Sequence, residues 1–172
     1  MSSLEGKNVT KMARPHCHTN FVSQCLVAGG LTMNTAWHYY AKTLEEWHGN
    51  NSIQKRERDM TSAWSTAKSQ YEFFSSDWAG YKNGDVIQIW TEEGMEYNIQ
   101  NSNIQPGDLM FFAHKDTGKV YHATIISNIT DDEIEYAAHT DPRNYEPLSE
   151  HLKKDFVVIV RIRDDAIKGY TE

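Results

Sequence analysis

Three things are scarce in this chain of 172 residues, and each scarcity excludes something. Cysteine is one: only Cys17 and Cys25 occur, so no disulfide framework staples the fold. Both fall on or beside one predicted helix, about two turns apart, beyond the reach of a disulfide, and both are expected as free thiols. Long apolar runs are another. No stretch approaches the roughly 18 consecutive apolar residues that cross a bilayer as a helix, so no membrane span is expected. Positive charge is the third: 17 Lys and Arg stand against 24 Asp and Glu, a net charge of −7, and the basic residues are dispersed. A phosphate backbone would find no basic footprint here, and nucleic acid is not expected as a partner. Residues 1–15 hold Lys7, Lys11 and Arg14 without an apolar core beside them, so they read as a poorly defined leader and not as a secretory signal.

What is present describes a globular domain. With 39% hydrophobic residues, five Trp and nine Tyr, the chain can fill one core, and residues 1–172 are read as a single domain. Helical periodicity comes first. Phe21, Val22, Cys25 and Leu26 share one helical face, and Gly29-Gly30 supplies a left-handed stop. Trp64, Ala67, Tyr71 and Phe74 recur at threes and fours, predicting one amphipathic helix over 60–74 with Asp59 as its N-cap and an aromatic stripe facing the core. The charged run over 55–59 reads as solvated surface.

Beyond a turn at 80–84 the period becomes extended. Segments 86–90, 109–112, 121–128, 133–138 and 156–163 are rich in β-branched and aromatic residues and separated by polar turns such as Lys115-Asp116-Thr117-Gly118. Pro106-Gly107 suits a type II turn feeding one of these strands, an architectural role. Short connections favour hairpins, so the predicted class is α+β, N-terminal helices packed on an antiparallel sheet.

Chemistry is offered at His16-Cys17-His18, where two histidines bracket a thiol just ahead of the first helical run. A thiol at a helix start lies in the positive end of the macrodipole, beside N–H groups with no helical acceptor, and its thiolate is stabilised there. The same N–H groups can hold the oxyanion that forms when a thiolate attacks an amide carbonyl. Thr19 or Asn20 is expected to cap this helix and to support that oxyanion site. Such a nucleophile needs a base and a group that orients the base. His122 begins one predicted strand and His139 ends the next, and in an antiparallel pair those ends are neighbours. His122 is therefore the candidate base and His139 its orienter. His38, His48, His114 and His151 show no such arrangement and read as surface or packing residues.

The run from Thr19-Asn20-Phe21-Val22-Ser23-Gln24 through Cys25-Leu26-Val27-Ala28-Gly29-Gly30 resembles the signature of the bacterial putative amidase domain family, in the papain-like cysteine peptidase group and related to cell-wall hydrolases of the CHAP and NlpC type. Ser62-Ala63-Trp64-Ser65, Ile104-Gln105-Pro106-Gly107-Asp108-Leu109, Tyr121-His122-Ala123-Thr124-Ile125-Ile126 and Ala138-His139-Thr140-Asp141 resemble its later blocks in the same order. The resemblance implies a papain-like fold with a helix-borne Cys nucleophile, a strand-borne His base and a polar third residue. It implies an amide substrate such as a peptidoglycan stem peptide or the bond joining it to the sugar. His122 and His139 fall on the base and third-residue positions. The nucleophile does not match: the family pattern reads Asp-Cys-Thr-Asn-Phe-Val-Ser-Gln, so His18 stands in its place and Cys17 one residue earlier, about 100° round the helix.

Three readings stay open. In the first, Cys17 attacks from a re-registered helix start, and the chain is a cysteine-dependent amidase or peptidase of the cell wall, a lysin or toxin domain secreted or delivered there. In the second, His18 at the nucleophile position leaves an inactive member that binds cell-wall fragments or a protein through the old cleft. In the third, His16, Cys17 and His18 ligate a metal; adjacent ligands are awkward and no spaced metal motif occurs, so neither metal nor cofactor is expected. Peptidoglycan or a peptide is the expected partner, with an immunity protein if the domain is a toxin. The acidic balance gives no general attraction to an anionic wall polymer.

Overall fold

A computed structural model of the chain describes residues 17–34, 36–39, 60–78, 81–93, 99–131, 133–138 and 148–166. Helix α1 (Cys17–Ala28) comes first and stops at the expected glycine pair. Gly30 adopts φ of 105°, its N–H reaches Val27 O at 3.0 Å, and the Leu31 N–H reaches Leu26 O at 3.0 Å. That is a Schellman stop, closed by packing of Leu31 and Leu26 in the same cluster. The single helix predicted over 60–74 is two: α2 (Ser62–Ser65) and α3 (Ala67–Ser75), with Thr66 extended between them at φ −120°, ψ 134°. The Thr66 N–H and Oγ1 both donate to Ser62 O, and Thr66 O accepts the Gln70 N–H, so one β-branched residue ends one helix and opens the next. The proposed cap, Asp59, lies outside the described residues.

Strands follow: β1 (Asp77–Trp78), β2 (Tyr81–Lys82), β3 (Gly84–Trp90), β4 (Leu109–His114), β5 (Val120–Ile129) and β6 (Ile134–Ala137). Helix α4 (Leu148–Lys154) and strand β7 (Asp155–Ile162) complete the chain. Strand β2 falls in the segment 80–84 expected as a turn and pairs with β1. The main sheet has the order β3-β7-β4-β5-β6 and is antiparallel throughout. The predicted hairpins β4–β5 and β5–β6 are present, and β7 inserts between β3 and β4. Helices and an antiparallel sheet make the class α+β, as expected.

Both faces of the sheet are covered. On one, Val22 and Leu26 of α1, Trp37, Trp64 of α2 and Phe73 and Phe74 of α3 pack on Phe111, Ala123, Val158 and Val160. On the other, Leu148 and Leu152 of α4 join Trp90, Met110, Phe112, Ile126, Ile134, Val157 and Ile159. Strand β4 is central and buried on both sides, which is why Leu109-Met110-Phe111-Phe112-Ala113 reads as a continuous apolar run without alternation. Among the described residues no helix is long and apolar enough to cross a membrane.

Candidate active site

The described length of helix α1 opens with Cys17 and His18. At a helix start the backbone N–H groups lack helical acceptors and the macrodipole is positive. The expected cap is corrected: Thr19 and Asn20 lie inside the helix, which starts two residues earlier, and both are engaged in packing. Thr19 is buried, and its carbonyl faces Gln70 Nε2 at 3.4 Å. Asn20 Oδ1 accepts hydrogen bonds from Trp64 Nε1 at 2.6 Å and Gln24 Nε2 at 3.2 Å.

One turn on, Ser23 is fully buried and fully bonded. Its Oγ donates to Trp64 O at 2.9 Å and accepts from Trp37 Nε1 at 3.1 Å and Gln70 Nε2 at 2.8 Å. A hydroxyl has one donor and two lone pairs, and all three are used. Asn20 and Ser23 thus fix how α1 is rotated against α2, α3 and Trp37. In the run Thr19 to Gln24 these polar residues hold the scaffold.

Cys25, on the same helix, is partly buried, and that burial pushes its thiol above the ordinary range, which disqualifies it as a ready nucleophile. It lines a cavity of about 600 Å³ with Leu26 and Gly30 of the helix stop and Gly107, Ile125 and Ile162 of the sheet. The C-terminal end of α1 therefore meets the end of the sheet where β4 begins. Helix α1 lies against β5.

His122 is the third residue of β5. It pairs opposite Phe112 across β4–β5, and the two rings are 5.5 Å apart. Phe112 belongs to the core layer on the α4 face, whereas Ala123, the next residue, packs on the α1 side. His122 therefore shares the sheet face opposite the one that α1 covers. Tyr121 is an extra residue in the ladder, since Ala113 pairs with Val120. Strands β5 and β6 pair antiparallel as expected. His139 lies outside the described residues, as do His16, His48 and the side chains of Cys17 and His18. The expected set of Cys17, His122 and His139 thus meets the described structure through the backbone of the first turn and the His122 ring.

Two polar clusters add to it. Asp108, in the Pro-Gly turn, is 2% exposed; Oδ2 accepts the Gln105 N–H at 2.8 Å, and Arg161 binds both carboxylate oxygens, Nε at 2.9 Å and Nη2 at 2.7 Å. Arg161 Nη2 also donates to Asn103 O at 2.7 Å, and bonding to Asp108 raises the guanidinium above its ordinary range. Gly107 has φ of 95°, as a type II turn requires, so this block is architectural. The second cluster gives a partner to His114, which the sequence reads as a surface or packing residue and which is half-exposed. Its Nδ1 is 3.2 Å from Asp155 Oδ1, and Tyr121 donates its hydroxyl to Asp155 Oδ2 at 2.5 Å. The pairing of β4 with β7 sets His114 directly opposite Asp155. Forty-one positions separate them in the chain, so no local motif announces the pair.

Among the described residues no three His, Cys, Asp or Glu side chains stand together as a metal site. Compared with known families, the chain matches the sequence model described as putative amidase domain over residues 8–160, most of its length. No curated protein and no solved structure matches it.

Proposed function

The chain belongs to the putative amidase domain family, and from that premise we propose that it is a papain-like, cysteine-dependent amidase that cleaves an amide of peptidoglycan or a related peptide. Cys17 is the nucleophile, His122 the base and acid, and His139 the residue that orients it. The observation that carries this reading is that Cys17 opens the described length of α1; the sheet face of His122, opposite the one that α1 covers, weighs against it. In the reaction, the thiol proton passes to His122 as sulfur bonds to the amide carbon, and the oxyanion is held by N–H groups of the first turn. His122 gives the proton to the leaving amine as the C–N bond breaks, leaving a thioester. Water then attacks the thioester, His122 takes the water proton, and the acid leaves as the thiol is restored. Action on the wall implies secretion or delivery, and delivery as a toxin implies an immunity protein.

A second reading has its own support. Asn20 and Ser23 fix the rotation of α1, and position 18, not 17, stands where the family pattern has its cysteine. On this reading the chain is an inactive member that binds wall fragments. Incubation with purified peptidoglycan, with released fragments weighed by mass spectrometry, separates the two. Release that both Cys17→Ala and His122→Ala abolish establishes the shifted nucleophile, and the fragment masses name the bond. No release from the unchanged chain, with release gained by His18→Cys, establishes the inactive member.

A further inference from the structure

The cavity of about 600 Å³ at the C-terminal end of α1 has apolar walls and a charged rim. Leu26, Leu31, Ile125, Ile162 and Ala166 supply the walls, all within the core layer on the α1 face of the sheet. Gly30 and Gly107, at φ of 105° and 95°, also line it, and a Cβ at either would meet no atom within 4 Å. Open space therefore stands where two side chains would, and the volume is that of a small-molecule site. We propose that this cavity binds a small amphipathic amine, with its apolar body against these walls and its ammonium group at Asp164.

The sign of the ligand follows from which charges are already matched. Asp164 is exposed where it lines the cavity, and its carboxylate has no ion pair or hydrogen bond among the described residues. Arg163 lines the cavity too, but its guanidinium is engaged. Nε donates to Asp165 Oδ1 at 3.2 Å, and Nη1 lies 3.8 Å from Asp85 Oδ2, whose other oxygen takes Lys82 Nζ at 2.6 Å. Across this group three carboxylates, Asp85, Asp164 and Asp165, face two cations, and the carboxylate left over is Asp164. The end of α1 adds to the excess, because the macrodipole is negative there and Gly29 and Gly30, which follow, line the cavity. A carboxylate ligand would be repelled on the same grounds, and a neutral one would fill the walls while leaving Asp164 unmatched. His122 is on the other face of the sheet, so the inference does not depend on the amidase reading.

Cys25 lines the cavity and so reports its occupancy. In the full chain carrying Cys17→Ala, alkylation of Cys25 by iodoacetamide is followed by mass spectrometry, with glutathione in the same mixture as the rate standard and ionic strength held constant. n-Hexylammonium chloride, n-hexanol and sodium hexanoate are titrated in turn. Hexylammonium is expected to slow the labelling of Cys25 saturably while the glutathione rate stays unchanged. Its half-saturating concentration should rise about threefold with Asp164→Asn, the loss of one exposed ion pair. Hexanol should need a similar excess over hexylammonium in the unsubstituted site, and hexanoate more. Asp164 is exposed, and equal unfolding midpoints check that the variant folds. Labelling that hexylammonium does not slow saturably, equal protection by hexanol or hexanoate, or a half-saturation that Asp164→Asn leaves unmoved overturns the proposal.

Discussion

Replacing Ser23 with alanine removes the one oxygen on which three elements converge, and the cost follows from what is left behind. Trp37 Nε1 loses its acceptor. Gln70 Nε2 keeps only the 3.4 Å contact to Thr19 O, and Gln70 Oε1 is already buried without a partner, so the amide would be nearly unbonded at both ends. A buried polar group left unsatisfied costs about 1–3 kcal/mol, so one full and one partial penalty come to about 2–4 kcal/mol. Against a typical domain stability of about 5–15 kcal/mol that is a large fraction. Urea unfolding followed by tryptophan fluorescence and by circular dichroism measures it, with Trp37 and Trp64 reporting from the site itself. The double variant Ser23→Ala, Gln70→Met should be less destabilised than Ser23→Ala alone by about 1 kcal/mol, because methionine leaves no amide to satisfy. A loss below about 0.5 kcal/mol for Ser23→Ala, at unchanged m value, would refute the idea that this hydroxyl holds α1 in place.

Gly84→Ala places a Cβ 2.5 Å from Phe74 O and 2.8 Å from Arg161 O, both main-chain atoms, so backbone must move. A loss of about 1–3 kcal/mol is expected, a fall in Tm of roughly 3–10 °C, and an unchanged Tm would show that β3 yields freely. Asp108→Ala strands the Gln105 N–H and the Arg161 guanidinium. It should cost about 2–4 kcal/mol, less than for a fully buried pair because Arg161 partly reaches solvent. Arg161→Lys keeps the charge but not the fork and should cost less than Asp108→Ala in the same urea titration. For Cys25 the sign is set by burial: a raised pKa means that the thiolate appears only at higher pH than in free cysteine. Iodoacetamide should therefore label the Cys17→Ala variant more slowly than free cysteine at about pH 8, and equal rates by mass spectrometry would contradict the burial of this thiol.

How much of this was legible in the sequence depended on whether the cause was local. The stop of α1 was, because a Schellman turn needs a residue at positive φ and Gly29-Gly30 supplies it. The five strands of the main sheet were, within one or two residues, because β-branched and aromatic runs bounded by polar turns have few other uses. The break at Thr66 was not: the aromatic spacing runs straight through it, and Trp64, Ala67 and Phe74 are buried as expected even though the backbone between them is not continuous helix. Nor was the insertion of β7 between β3 and β4, since each hairpin could have formed without it. That insertion is what brings Asp155 to His114 and Arg161 to Asp108. Both pairs join residues more than forty positions apart, and neither residue type is informative until the ladder is known.

At the thiol the sequence posed the question sharply because a helix start is sensitive to register. Moving a side chain one position along a helix turns it by about 100° and shifts it by 1.5 Å. Were α1 free to rotate, such a shift could be absorbed. Its rotation is instead set downstream, where Asn20 takes the Trp64 indole and Ser23 takes those of Trp37 and the Gln70 amide. On the resemblance drawn from the sequence these residues belong to the family signature, and on that reading position 18 takes the place of the family's cysteine, with position 17 about 100° from it. For Cys17 to attack, substrate and base must meet it on that other bearing. The side of β5 on which His122 sits, facing Phe112 and away from the α1 layer, is the second departure from a simple helix-to-strand pair. His18→Cys tests both at once. Activity gained by that variant and lost again in His18→Cys, His122→Ala would show that His122 serves a thiol at position 18. Activity gained but insensitive to His122→Ala would assign the base elsewhere.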